Sequence, residues 1–263
     1  MEKYTNEYLL NFYAKGFVKI PKEMIDEKEL KAIKLIKEVT KKYNNIVLGY
    51  SLGKDSIVVD YLLSKANVKY KQVLFRTYYH FTEIKQWWEK NKRENSLLIE
   101  IPRPTWEDLE KNSDLLFSIN KKADTEWMLY KYKIQQKYLK QNCDLFITGR
   151  RYAERNRCGA KADNFIVKGT YDTFSPIADW TTEDVIAYLR YNDIELPPNY
   201  LKYKNGFAYG SIAWAERQRF NQFNNDINEK WQEVYDIEKE IVIEASEHLS
   251  SAKKWLEERE NKK

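Results

Sequence analysis

The segment Gly49-Tyr50-Ser51-Leu52-Gly53-Lys54-Asp55-Ser56 holds the densest chemistry in this chain of 263 residues. Its residue types suit an anion cradle. Gly53 lets the backbone approach an oxyanion, Ser51 and Ser56 offer hydroxyls, and Lys54 supplies a mobile cation. A helix beginning here aims unpaired N–H groups and the positive end of its dipole at the same point. The spacing is neither the GxxxxGK[ST] of a nucleoside-triphosphate loop nor the GxGxxG of a dinucleotide fold. A tight strand-to-helix turn capped by serine is the competing reading.

A second group starts at Gly149, where Arg150, Arg151, Arg155 and Arg157 surround Glu154. Guanidinium offers a planar fork of donors that fits phosphate or sulfate, and Glu154 could orient one of the arginines. A solvated basic loop and a nucleic-acid contact are the alternatives. Further along the same logic stand Arg76 and Thr77, with His80 close behind. A single histidine is more often a packing or hydrogen-bonding residue than an acid–base group, so His80 is left out of the catalytic set.

These groups need a scaffold that brings them to one edge. Ile46 to Tyr50 is a short apolar run typical of a buried parallel strand, and Ser56 to Ala66 is apolar on most sides, as a helix packed on a sheet would be. The alternation continues with strands at Gln72–Arg76, Leu97–Ile101 and Leu145–Thr148 and helices at Thr82–Asn95 and Ala123–Gln141. Arg103 to Asn120 is less regular, and Thr173–Ile177 reads as an edge strand. Thr181 or Thr182 with Glu183 and Asp184 announces a capped helix through Tyr191. Upstream, Glu27–Lys42 places Leu30, Ile33, Ile36 and Val39 on a candidate apolar face. The order predicts an α/β fold, a Rossmann-like, mostly parallel sheet with flanking helices. Helical extensions are expected at 1–43 and 215–263 around a nucleotide-binding domain at 44–214. Ligands of such sheets sit at the carboxyl ends of the strands, which is where Ser51, Arg76 and Gly149 fall. Trp87, Trp88 and Trp180 are expected in the core or at an interface, and Asp179 or a neighbouring threonine as a helix cap.

Composition narrows the classes. With 43% hydrophobic and 32% charged residues the chain is neither disordered nor collagen-like. No run approaches the ~18 apolar residues of a membrane helix, and Met1-Glu2-Lys3-Tyr4 lacks a signal-peptide pattern. A cytoplasmic protein is expected, with no membrane partner. The net charge of +5 suits an anionic substrate without indicating nucleic acid. Two cysteines, Cys143 and Cys158, and two histidines exclude a disulfide framework, a zinc site and an iron–sulfur cluster.

The strand-following S-x-G-K-D-S loop resembles the PP-loop of the adenine nucleotide α-hydrolase superfamily, and more narrowly the phosphoadenosine phosphosulfate (PAPS) reductase family. That family also holds the ATP-cleaving small subunit of sulfate adenylyltransferase, FAD synthetases and DNA phosphorothioation enzymes. Its usual loop is SGGKDS, and Leu52 replaces the middle glycine. Three more segments resemble it in order. Val73 to Glu83 is similar to VxFIDTGxxFPET, Thr148 to Arg157 to GxRxxESxxR, and Ser175 to Val185 to PLxDWTxxDV. The resemblance spans about residues 40 to 215. It favours Arg151, Arg157 and Glu154 within the arginine loop. It places Arg76 where members commonly carry Asp near the adenosine end, so an arginine there could bind an extra phosphate or change base recognition.

The resemblance implies adenine nucleotide binding, but the chain departs from the reductases. They attack sulfur with a carboxy-terminal cysteine, and no cysteine follows Gly210-Ser211-Ile212-Ala213-Trp214. The expected function is therefore cleavage of ATP between its α- and β-phosphates. An acceptor, sulfate among the candidates, is adenylylated, and pyrophosphate leaves, with Mg²⁺ bridging phosphates. Ser51, Leu52, Gly53, Lys54, Asp55, Ser56, Arg76, Thr77, Gly149, Arg151, Glu154 and Arg157 are the expected nucleotide- and phosphate-binding residues. Lys54, Arg151 and Arg157 are the expected catalytic ones; no metal ligand is assigned, and Asp55 is the candidate for one. Two alternatives remain. One is a binder or hydrolase of PAPS or another adenine nucleotide. The other is a nucleic-acid modification or regulatory protein using Arg217, Arg219, Trp231 and Trp255 as its surface. A homo-oligomer is compatible with either.

Overall fold

The computed structural model describes residues 6–14, 20–118, 120–201, 213–215 and 226–261. Two compact units emerge, and they interleave along the chain. The first comprises Met1–Phe75, Lys92–Ile99 and Ile134–Pro197, the second Arg76–Asn91, Glu100–Lys133 and Pro198–Lys263. The amino-terminal helices belong to the same unit as Ile46–Gly49 and the loop that follows it.

In the first unit, α1 (Asn6–Ala14) and α2 (Lys22–Thr40) precede β1 (Ile46–Gly49), which leads through the loop at 50–53 into α3 (Lys54–Lys65). The chain then forms β2 (Lys71–Thr77), α4 (Thr82–Asn91), β3 (Ser96–Ile101), α5 (Trp106–Lys111) and α6 (Lys121–Asn142). It continues with β4 (Leu145–Ile147), β5 (Ile166–Val167), β6 (Asp172–Phe174) and α7 (Thr182–Tyr191). The strands form one sheet in the order β3-β2-β1-β4-β6-β5. β1 runs parallel to β2 and β4, and β6 parallel to β4; only β5 is antiparallel to its neighbour among these recorded pairs. The mostly parallel α/β sheet is thus present.

Continuous apolar runs become doubly covered elements. Val47, Val73, Phe146 and Leu139 form a buried cluster of the sheet and α6. Ile57, Val58, Val59, Leu62 and Leu63 of α3 are each no more than 1% exposed. α7 begins with a capping box, Thr181 accepting from Asp184 N and Asp184 accepting from Thr181 N, as the sequence announced. Trp87, Trp88 and Trp180 are buried.

Two expectations need correction. Leu30 is 67% exposed, and the buried stripe of α2 is Ile25, Ala32, Ile36 and Val39. Steps of three drift backwards around a 3.6-residue helix, so Leu30 and Val39 lie about 180° apart. The strand read as Thr173–Ile177 is β6, and it is not an edge: β5, too short to show any pattern, pairs with it on the outside.

The second unit is built on aromatic rings. Tyr79 lies 5.0 Å from Trp106 and 5.4 Å from Trp214, and Phe117 lies 4.9 Å from Trp231, all at edge-to-face angles. α8 (Pro198–Leu201), α9 (Ile227–Ile237), α10 (Lys239–Ser246) and α11 (Ser250–Glu260) also belong to it. No helix among the described residues is long and apolar enough to cross a membrane.

Candidate functional site

From β1 the chain moves to β2 and β3 on one side of the sheet, whereas β4 and β6 lie on the other. The strand order therefore reverses beside β1, and the loops after β1 and β4 diverge from neighbouring strands. Such a switch point is where open α/β sheets place ligands.

The loop after β1 is tied by its own hydroxyls. Ser56 Oγ donates to Gly53 O (2.8 Å) and accepts from Ser51 N (3.2 Å), while Gly53 N donates to Ser51 Oγ (3.3 Å). Gly53 caps α3 in an extended conformation, φ −83 and ψ 147. The first-turn N–H groups that follow lack intrahelical partners and face outward along the helix dipole. Leu52, not Gly53, takes the left-handed turn, at φ 59. The residue is 1% exposed, so its side chain anchors the loop inward.

Loop and sheet edge lock through four charges. Arg151 Nε donates to Asp55 Oδ1 (2.7 Å) and Arg151 Nη2 to Glu154 Oε1 (2.7 Å). Lys54 Nζ donates to Asp55 Oδ2 (2.7 Å) and reaches Glu154 Oε1 at 3.3 Å. Arg151 Nη1 lies 3.3 Å from both Trp180 O and Thr182 Oγ1. Burial would raise the Asp55 carboxyl, but Lys54 and Arg151 outweigh it and hold it below the ordinary value. Gly149 makes this contact feasible: a Cβ there would stand 2.8 Å from the Asp55 carbonyl carbon.

Ser51, Leu52, Gly53, Lys54, Asp55, Ser56, Gly149, Arg151 and Glu154 are therefore neighbours. Arg151 is fully buried with its donors spent inside, so it braces the loops. Arg157, like Arg150 and Arg155, is exposed. Arg76 and Thr77 close β2 within the second unit. Among the described residues no group of three or more His, Cys, Asp and Glu stands ready for a metal. Both oxygens of Asp55 are held by cations, so the metal contact expected of it does not fit this arrangement.

Sequence reasoning missed the Thr148–Ser175 hydroxyl pair (3.2 Å), which joins the ends of β4 and the turn after β6. Paired hydroxyls just past two strands were the available signal. It also missed Thr182 and the Trp180 carbonyl as acceptors for Arg151. Cys158 is half-buried; burial pushes its thiol up, against a hydrogen bond with Ser175 and the charge of Arg150. Burial pushes Cys143 up to about 12.

Residues 45–212 match the phosphoadenosine phosphosulfate reductase domain, and the chain belongs to that family. No curated protein sequence matches it. In structure it is similar to the PAPS reductase of Candida auris, solved as a phosphate complex, at 18% identity and TM-score 0.51, over 70% of this chain and 94% of that one. NMN synthetase of Francisella tularensis follows at 14% identity and TM-score 0.45, over 82% of this chain and 93% of that one. NAD⁺ synthetase of Burkholderia pseudomallei has 14% identity and TM-score 0.44, over 77% and 86%.

Proposed function

We propose that this member of the PAPS reductase family binds ATP at the phosphate loop and cleaves it between the α- and β-phosphates. An acceptor oxygen attacks the α-phosphorus, the bond to the bridging oxygen breaks, and pyrophosphate leaves with that electron pair. The observation that carries the reading is the loop Ser51–Ser56, held at the reversal of strand order by the Asp55–Arg151–Glu154 bonds. Ser51, Ser56 and the start of α3 would hold phosphate oxygens, and Lys54 would neutralise the leaving pyrophosphate. Arg157, exposed on the same arginine loop, would meet the acceptor or pyrophosphate, while Arg151 positions the loops. Arg76 and Thr77 remain anion-binding residues. No step is routed through a metal, because Asp55 is already spent on two cations.

The cysteines support a reading without thiol chemistry. A nucleophilic thiolate needs a lowered pKa, and both thiols are shifted upward. Sulfate is the first acceptor to try, on the analogy with the sulfate adenylyltransferase small subunit. Binding or hydrolysis of PAPS is the second reading, favoured by a cation, Arg76, at the end of β2. A nucleic-acid arm is less well supported. Trp231 and Trp255 are buried, and Ile227–Asn261 holds ten acidic against five basic residues. Arg217 and Arg219 lie outside the described residues. The test is pyrophosphate release from ATP with and without sulfate, beside sulfite release from PAPS. Pyrophosphate supports the proposal, and sulfite without pyrophosphate refutes it.

A further inference from the structure

Helix α6 has two sides of different character. Ala123 and Trp127 hold one side in the core, at 2% and 1% exposed. At about 100° per residue, Leu129 and Tyr132 fall on the opposite side. They are 50% and 56% exposed. Lysines flank them. The exposed charged residues of α6 are Lys121, Lys122, Lys133, Lys137 and Lys140, whereas Asp124 and Glu126 are half-buried.

α10 shows the converse. Ile241, Val242 and Ala245 are buried, and Glu240, Ile243, Glu244 and Glu247 are exposed at the spacing of a single helix face. Ile243 is 46% exposed. The one base of α10, Lys239, stands at its start, 3.9 Å from Glu240. Both sets of charges oppose the helices that carry them. Lys121 and Lys122 open α6, where the dipole favours acids, and Glu244 and Glu247 close α10, where it favours bases. Glu240 and Glu244 are also like charges four positions apart. A counter-charge from outside would relieve each of these conflicts. The stretch Lys121–Lys133 and α10 both belong to the second unit, so one chain carries both halves of a complementary pair.

We propose that α6 of one copy docks on α10 of a second copy, with Leu129 and Tyr132 against Ile243. The two helices run antiparallel, so that Lys121 and Lys122 meet Glu244 and Glu247, and Lys133 meets Glu240. Lys122 to Leu129 spans about 10 Å along the axis, as does Glu240 to Glu247, and the long Lys133 side chain covers the turn that remains. A two-fold axis repeats the contact and closes a dimer. A second α6 is not the occupant, because antiparallel pairing would set lysines against lysines. Nucleic acid or an anionic membrane would satisfy the lysines but gives the acidic face of α10 no partner. The interface is independent of the chemistry at the phosphate loop.

Analytical ultracentrifugation at low and high salt tests it. The wild type should be dimeric at low salt and dissociate as salt rises. Glu244 also accepts from the Tyr78 hydroxyl (2.6 Å), so it is left unchanged. Lys122→Glu with Lys133→Glu, or Glu240→Lys with Glu247→Lys, should each weaken self-association about 10- to 100-fold. Mixing those two proteins should restore a 1:1 dimer, since each then offers the charge the other lacks. A chain with all four changes should dimerise alone. Misfolding cannot imitate either restoration. Leu129→Ser should weaken the dimer at both salt concentrations. A monomeric wild type at low salt overturns the proposal, and lysine-dependent binding of duplex DNA or phosphatidylserine vesicles by that monomer would reassign the face. A dimer indifferent to both double reversals, or reversed proteins that stay monomeric when mixed, overturns it as well.

Discussion

Replacing Gly149 by Ala tests whether the two loops at the strand ends are one mechanical unit. The new Cβ would lie 2.8 Å from the Asp55 carbonyl carbon, 2.9 Å from Asp55 Cβ and 3.0 Å from Asp55 O. Carbon contacts relax near 3.5–4.0 Å, so Asp55 must retreat by about 0.5–1 Å. It cannot do so freely, because its carboxylate holds Lys54 and Arg151 at 2.7 Å each. Overpacking of this kind costs about 1–3 kcal/mol, which lowers Tm by about 3–10 °C in a chain of this size. Losing one charge-assisted bond in the loop should weaken ATP binding about tenfold or more. Leu139→Ala is the control: this buried core residue should cost about 2–5 kcal/mol and leave the affinity of the folded protein unchanged. Thermal melts and calorimetry read both. A Gly149→Ala protein with wild-type Tm and wild-type ATP affinity would refute the coupling.

Gly53→Val should abolish ATP binding while the domain folds, since φ −83 and ψ 147 suit valine; calorimetry on the folded variant decides it. Arg151→Ala should cost about 3 kcal/mol, because it leaves the buried Asp55 with Lys54 alone, whereas Arg157→Ala should keep Tm and slow pyrophosphate release about 100-fold. Equal Tm in both variants removes the distinction. The Cys143→Ser, Cys158→Ser double variant should retain pyrophosphate release, measured beside a sulfite assay on PAPS. Thr77→Val should stabilise the ligand-free protein by about 1 kcal/mol in a denaturant titration, by replacing a buried, unpartnered hydroxyl.

The parallel sheet was legible because its strands are unbroken apolar runs, Ile46–Leu48 and Val73–Phe75 among them, followed by amphipathic or apolar helices. The loop Ser51–Ser56 stood out in the sequence because Ser, Gly, Lys and Asp cluster there between an apolar strand and an apolar helix. What escaped depends on distance in sequence. Arg151 and Asp55 are 96 positions apart, and nothing local distinguishes a buried arginine from its exposed neighbours Arg150 and Arg155. β5 escaped because two residues cannot display a period. The interleaved units escaped because β2, β3 and α6 each cross from one to the other, so no composition change marks a boundary.

Leu52 and Arg151 together explain how a loop can depart from the glycine-rich pattern and still hold its shape. A left-handed conformation costs an ordinary residue about 1–2 kcal/mol. Leu52 meets that cost by burying its side chain almost completely, which is worth about 1.5–3 kcal/mol. The balance is small, and the loop is fixed by a core contact instead of being left flexible. Arg151 adds the electrostatic half of the same arrangement. Two cations, Lys54 and Arg151, face two carboxylates, Asp55 and Glu154, so the cluster is neutral before any ligand arrives. Arg151 cannot leave without abandoning Trp180 O and Thr182 Oγ1, whereas Lys54 sits on a flexible stem at the first position of α3. An entering phosphate would therefore draw Lys54 toward it and leave Asp55 paired with Arg151. On that view Lys54→Arg should fail to support pyrophosphate release even if ATP binds, because a planar fork cannot make the same exchange. Wild-type turnover in that variant would show that the cation at position 54 serves only to balance charge.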